Sequence, residues 1–138
     1  MKAYFRKPSL VDVWDNPLVT LTIFRTSTGD QTGNPGDYVI DYGGVPGSDT
    51  APYPVPKEFF ERTYISGTGL NFGLAILALK AGRCIQRAGW NGKGMHVYLL
   101  EMSGYEPCMV LYTAAGTHQP GWNASTPDVL ADDWQVLD

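Results

Sequence analysis

Arg83-Cys84-Ile85-Gln86-Arg87-Ala88-Gly89-Trp90-Asn91-Gly92-Lys93-Gly94-Met95-His96-Val97-Tyr98-Leu99-Leu100 is the stretch whose reading decides the fold. Its first five residues have the composition of a strand, three glycines mark a loop, and residues 95–100 form a second strand. Upstream, Asn71 stands where a helix N-cap belongs, and Phe72, Ala75, Ile76 and Leu79 recur on one helical face. Gly82 then closes that helix in the left-handed position. Downstream, residues 108–113 read as a third strand. Residues 123–128 carry hydroxyl caps, a proline at the first helical position and an acid in the first turn, so they start a short helix over 127–131. Residues 134–137 end the chain as a strand. The order helix, three strands, short helix, strand predicts an α+β module over residues 67–138. It has an antiparallel sheet, one main helix and one short helix.

Residues 1–66 read as a separate, small β-rich module. Strands are expected at 9–14, 19–24 and 37–42, with a polar turn region at 27–35 and a long proline-containing loop at 43–54. Residues 56–62 read as one short helix with proline at its first turn. Few large side chains are available for a core there, so this module is expected to need the second one, or an oligomer, for stability.

The chain has 138 residues, 43% of them hydrophobic and 17% charged, as in soluble globular proteins. A net charge of −4 argues against a binder of polymeric nucleic acid, which needs a broad basic face. Beyond Gly67, however, the bases Lys80, Arg83, Arg87 and Lys93 all precede the first acid, Glu101. A locally positive site for a small anion is therefore expected. Cys84 and Cys108 form no CxxC and read as free thiols. With His96 and His118 they match no metal spacing, so neither a metal nor a cofactor is expected. No run reaches the ~20 apolar residues of a membrane span, and Met1-to-Pro8 lacks the apolar core of a signal peptide. A cytoplasmic protein with no membrane partner is the expectation.

Catalytic motifs are missing: there is no nucleophile elbow, no HExxH and no GxxxxGK[ST]. Asp132 and Asp133 adjoin, but sequence neighbours point apart, and a solvated helix end explains them. Binding groups are better represented. Glycine lets backbone amides approach a ligand, tryptophan offers a flat face, and lysine and arginine offer charge. Trp90 and Trp122 lie in loops, each followed by an asparagine (Asn91, Asn123), and an aromatic face beside an amide can stack a ring and bond its edge. Ligand contact is the favoured reading for both rings. Trp134 reads at least equally as core, and Arg87 equally as an anion clamp or a solvated strand residue.

Two groups of residues together resemble the phage family called Thoeris anti-defence two. The first is Asn71-Phe72-Gly73, Ala75, Leu79-Lys80-Ala81-Gly82 and Arg87 through Met95. The second is Trp122, Ser125, Asp128-Val129-Leu130-Ala131 and Asp132-Asp133-Trp134. The resemblance spans about residues 70–138. It implies a non-enzymatic protein of the infected bacterial host's cytoplasm. Such a protein sequesters a cyclic ADP-ribose isomer made by TIR-domain proteins, in pockets between subunits of a homotetramer. Relatives that also bind cyclic dinucleotides make those a second ligand class, and a non-catalytic structural or interaction module of a phage is the alternative. On that resemblance Trp90 and Trp122 stack a base, and Asn91, Arg87 and Ser125 make polar contacts. Phe72 and Met95 line the pocket, and Asp128 meets a ribose hydroxyl. The segment 103–121 is shorter and less polar than the family pattern, and the N-terminal module, whose residues 35–40 and 56–64 resemble a short module of other phage proteins, is additional to it.

Overall fold

The computed structural model describes residues 1–3 and 9–137, so part of the N-terminal stretch read above lies outside the described residues. The fold is α+β with antiparallel sheets. The chain divides into two compact units, Val11–Ile65 and one built on residues 66–137.

In the first unit β1 (Thr22–Thr26) and β2 (Gly29–Gly33) form a hairpin, and β3 (Tyr38–Ile40) pairs with β4 (Tyr53–Val55). The hairpin corrects the expectation of a plain turn region at 27–35. Its polar second strand is mostly exposed and exists because β1 supplies the backbone partners, with Gly29 at a φ of +121° where the chain reverses. The stretch 9–14, expected to be a strand, contributes one isolated bridge, Val13 to Ile40, and β4 closes the long loop expected to run to 54. Phe24, Val39, Ile40, Ala51 and Val55 are the buried apolar side chains. Helix α1 (Lys57–Thr63) follows Pro56 and buries none of its residues. It is held by a ladder of rings, Tyr38 on Phe60 at 4.1 Å and Phe60 on Tyr64 at 4.7 Å.

In the second unit the main helix, α2 (Phe72–Lys80), begins where Asn71 Oδ1 accepts the Leu74 amide at 3.0 Å. It ends in a Schellman turn: Arg83 N–H donates to Ala78 O, Gly82 N–H donates to Leu79 O, and Gly82 takes a φ of +86°. Ala75, Ala78 and Leu79 form its buried face. They cover one side of a five-stranded antiparallel sheet, in the order β8 (His118–Pro120), β7 (Cys108–Tyr112), β6 (His96–Leu100), β5 (Cys84–Arg87), β9 (Trp134–Leu137). Strand β8, where the sequence pattern assigns no element, is three exposed residues ending in a proline, which suits an edge and carries no alternating pattern. The register opposes Ile85 to both Val97 and Val136, Val97 to Leu111, and Arg87 to Trp134. Alternation puts all of these on one face, where Ile85, Val97, Leu111 and Trp134 join Leu70 in the core beneath α2 and Val136 packs against it. The other face carries Gln86 bonded to Gln135 at 2.9 Å and Tyr98 bonded to His118 Nδ1 at 2.9 Å. The free edge of β9 is occupied, since Leu70 and Trp134 exchange both backbone bonds and Val136 donates to Gly67 O. Helix α3 (Thr126–Leu130) connects β8 to β9, the two outer strands of the sheet. Among the described residues no helix is long and apolar enough to cross a membrane, and both cysteines are free and partly buried.

Candidate functional site

Three tryptophans far apart in sequence meet at the end of β5 and β9. Trp134 is fully buried, as its core reading requires. Trp90 approaches it edge-on at 5.5 Å and Trp122 at 6.4 Å, and Trp90 meets Trp122 at 6.0 Å. Phe72, the first residue of α2, adds a fourth ring 5.4 Å from Trp134. Such edge-to-face pairs lie in the favourable range for aromatic contacts and fix one another's planes. Trp90, Trp122, Phe72 and Met95 are all half-buried and packed against the core, so each is a packing residue as well as a surface one.

The polar groups around these rings bond mainly to each other. Helix α3 starts with a capping box, in which Ser125 Oγ accepts the Asp128 amide and Asp128 Oδ2 accepts the Ser125 amide. The Ser125 hydroxyl also donates to Asp128 Oδ2 at 2.7 Å. Asp128 Oδ1 then takes Arg87 Nη1 at 2.9 Å and the Trp90 indole N–H at 3.2 Å, while its carbonyl takes the Trp134 indole N–H at 2.9 Å. Asp133 completes the arrangement. Its Oδ1 receives Arg87 Nε at 2.8 Å, and its Oδ2 receives the Gly89 amide at 2.8 Å.

The electrostatics follow. The hydrogen bonds Arg87 donates to Asp133 first, then to Asp128, raise its pKa. Burial pushes the Asp128 carboxyl upward, but the bonds from Ser125, Arg87 and Trp90 together outweigh it, so its pKa lies below the ordinary carboxylate value. The Arg87 guanidinium lowers Asp133 in the same way, helped by the Gly89 amide. One cation thus stands between two anions, and the expected positive centre is not at Arg87.

The structure therefore gathers Phe72, Trp90, Trp122, Arg87, Ser125 and Asp128 into one connected cluster, with Met95 packed on the same core. Asn91 is exposed at the tip of the loop, and its side chain has no hydrogen-bond partner among the described residues. Asp133 was read as a solvated helix end. It is instead bonded to Arg87 and Gly89, a role set by the pairing of β5 with β9 that no local pattern reveals. Hollows of about 470 and 430 Å³ occur elsewhere, in the first unit, both lined in part by Trp14.

The cluster lies within the part of the chain that matches a known family. Residues 70–137 match the family profile of the Thoeris anti-defense 2-like domain. A curated relative, Thoeris anti-defense 2 of Bacillus phage SP01, is 30% identical over 86 residues, an alignment covering 51% of this chain and 97% of the relative. The alignment takes in nearly the whole relative, and the chain belongs to the Thoeris anti-defense 2 family.

Proposed function

We propose that the protein is a phage anti-defense protein that captures a cyclic ADP-ribose-type immune signal, made by TIR-domain proteins of the infected bacterium, and holds it without cleaving it. Family membership supports the anti-defense role. The observation that carries the binding reading is the meeting of two distant loops, those of Trp90 and Trp122, with their rings 6.0 Å apart and half-exposed beside a glycine-rich turn. Aromatic faces suit an adenine, and backbone donors suit ribose and phosphate oxygens. Phe72 and Met95 would form the apolar wall and Asn91 an edge contact. Arg87, Ser125 and Asp128 would act mainly by fixing the rings, because their polar atoms already bond to one another.

The carboxylates favour holding over chemistry. Asp128 and Asp133 are both bonded to Arg87 and held below the ordinary carboxylate range, which leaves them weak bases and poor proton donors near neutrality. We place the working protein in the host cytoplasm as a homotetramer with the ligand between subunits. The test is to incubate the purified protein with the TIR product, remove the protein, and assay the molecule before and after heat release. Depletion followed by intact recovery is the expected result. Loss after heating would identify an enzyme, depletion of cyclic dinucleotides alone would move the ligand class, and no depletion of either would favour a structural phage module. A monomer in solution would remove the inter-subunit pocket.

A further inference from the structure

The loop between β5 and β6 uses its backbone donors unevenly. At its start, Ala88 N–H donates to Asp133 O, Gly89 N–H to Asp133 Oδ2 and Trp90 N–H to Arg87 O; at its end, Met95 N–H donates to Gly92 O. Between them, the amides of Asn91, Gly92, Lys93 and Gly94 have no hydrogen-bond partner among the described residues. Four successive unengaged donors sit on one turn, with Gly94 at a φ of +77°. Lys93 is exposed and in no ion pair among the described residues, and the turn itself carries no acid. Consecutive backbone amides with a lysine nearby can bind an anion, and Gly94, where a Cβ would meet nothing within 4 Å, leaves the backbone beside the lysine open to approach. Arg87 is the opposite case, with Nε and Nη1 already bonded to carboxylates and its side chain only 20% exposed.

We propose that the turn 91–94, through its amides and the Lys93 ammonium, is the phosphate-contacting part of the site, and that Arg87 is a positioning residue that fixes the loop rather than an anion ligand. The assignment rests on the capture reading above in that the phosphate is the signal's pyrophosphate. A mobile lysine suits it, because its charge can follow two phosphates without the fixed fork geometry that arginine imposes.

The test separates the two ideas. The ¹⁵N-labelled chain is titrated with inorganic pyrophosphate, and wild type and Lys93→Gln are compared in uptake of the TIR product. The amides of residues 91–94 should shift while those of Ala88 and Gly89 stay in place. Lys93→Gln should bind pyrophosphate and signal about tenfold more weakly, with a shallower salt dependence and unchanged Tm, and Lys93→Arg should restore most of the loss. Arg87→Lys should instead lower Tm, with pyrophosphate still shifting the 91–94 amides. Shifts confined to other residues, or a Lys93→Gln protein binding like wild type, would overturn the assignment. Wild type that takes up no signal but shifts at 91–94 with pyrophosphate would sink the capture reading and support the anion turn.

Discussion

Arg87 Nη1 lies 2.9 Å from Asp128 Oδ1, and that same oxygen takes the Trp90 indole N–H at 3.2 Å. One carboxylate therefore ties the end of β5 to the first turn of α3 and sets the plane of the ring on the glycine loop. Because Asp128 also closes the capping box with Ser125, the short helix and the aromatic cluster are held by one group. A five-residue helix is too short to be stable by itself, so this anchoring is what gives α3 a fixed place.

Replacing Asp128 should accordingly cost more than replacing its cap partner. Asp128→Ala removes bonds from Arg87, Trp90 and Ser125 and leaves a partly buried guanidinium with one partner fewer. A loss of about 2–4 kcal/mol is expected. Ser125→Ala removes only the cap bonds and should cost about 1 kcal/mol. Urea denaturation of both variants checks the order; equal losses would mean that the Arg87–Asp128 contact adds little.

Acid should weaken the fold through this same pair of carboxylates. Asp128 and Asp133 have folded-state pKa values below their unfolded ones, so their contribution is present above the unfolded carboxylate pKa of about 4 and is lost as pH falls through the lower, folded values. Arg87, raised by the same bonds, stays charged throughout this range, so the pairing is lost only through protonation of its carboxylates. Midpoints measured from pH 6 down to pH 2 should fall for wild type, and the fall should be shallower in Asp128→Asn. Parallel curves for the two proteins would assign the acid sensitivity to other groups, such as Asp41, whose pKa is lowered by the Trp14 indole and the Gly43 amide.

What the sequence disclosed and what it hid divide along locality. Helix α2 was legible because Asn71, the apolar spacing and Gly82 are all local signals, and α3 because Ser125, Pro127 and Asp128 announce a helix start. Strand β2 was hidden because Gly29-Asp30-Gln31-Thr32-Gly33 has no apolar alternation; only its pairing with β1 makes it a strand. The aromatic residues of the candidate site were legible as types, but their mutual packing was not. Asp133 was missed because its partners, Arg87 at the end of β5 and Gly89 in the turn after it, lie forty-odd residues earlier and are brought opposite by the Arg87-to-Trp134 register.

The glycine loop should tolerate change unevenly. A Cβ on Gly92 would collide with the Met95 side chain and come within 3.0 Å of Ala114 Cβ. Gly92→Ala should therefore cost about 1–2 kcal/mol by overpacking. Truncating the flexible Met95 in the same chain should recover part of it, giving a coupling measurable as a double-mutant cycle by chemical denaturation. Strict additivity would place the strain elsewhere.

Trp122 offers the cleanest separation of packing from binding, because it is half-buried while Trp134 is wholly so. Trp134→Ala leaves a large cavity and frees the Asp128 carbonyl, so a loss of about 4–5 kcal/mol and general unfolding are expected. Trp122→Ala gives up edge contacts to Trp90 at 6.0 Å and Trp134 at 6.4 Å. A loss of about 1–2 kcal/mol is expected, a fraction of the full-burial figure, which leaves the chain folded. If the exposed part of the ring stacks a base, Trp122→Ala should also lose at least tenfold in signal uptake, since such a stack contributes about 1–3 kcal/mol, whereas Trp122→Phe should retain most of it. Uptake is measured by depletion at a temperature where circular dichroism finds both variants folded. A folded Trp122→Ala protein that takes up signal as wild type does would reduce Trp122 to a packing residue and leave Trp90 as the ring on which the binding reading depends.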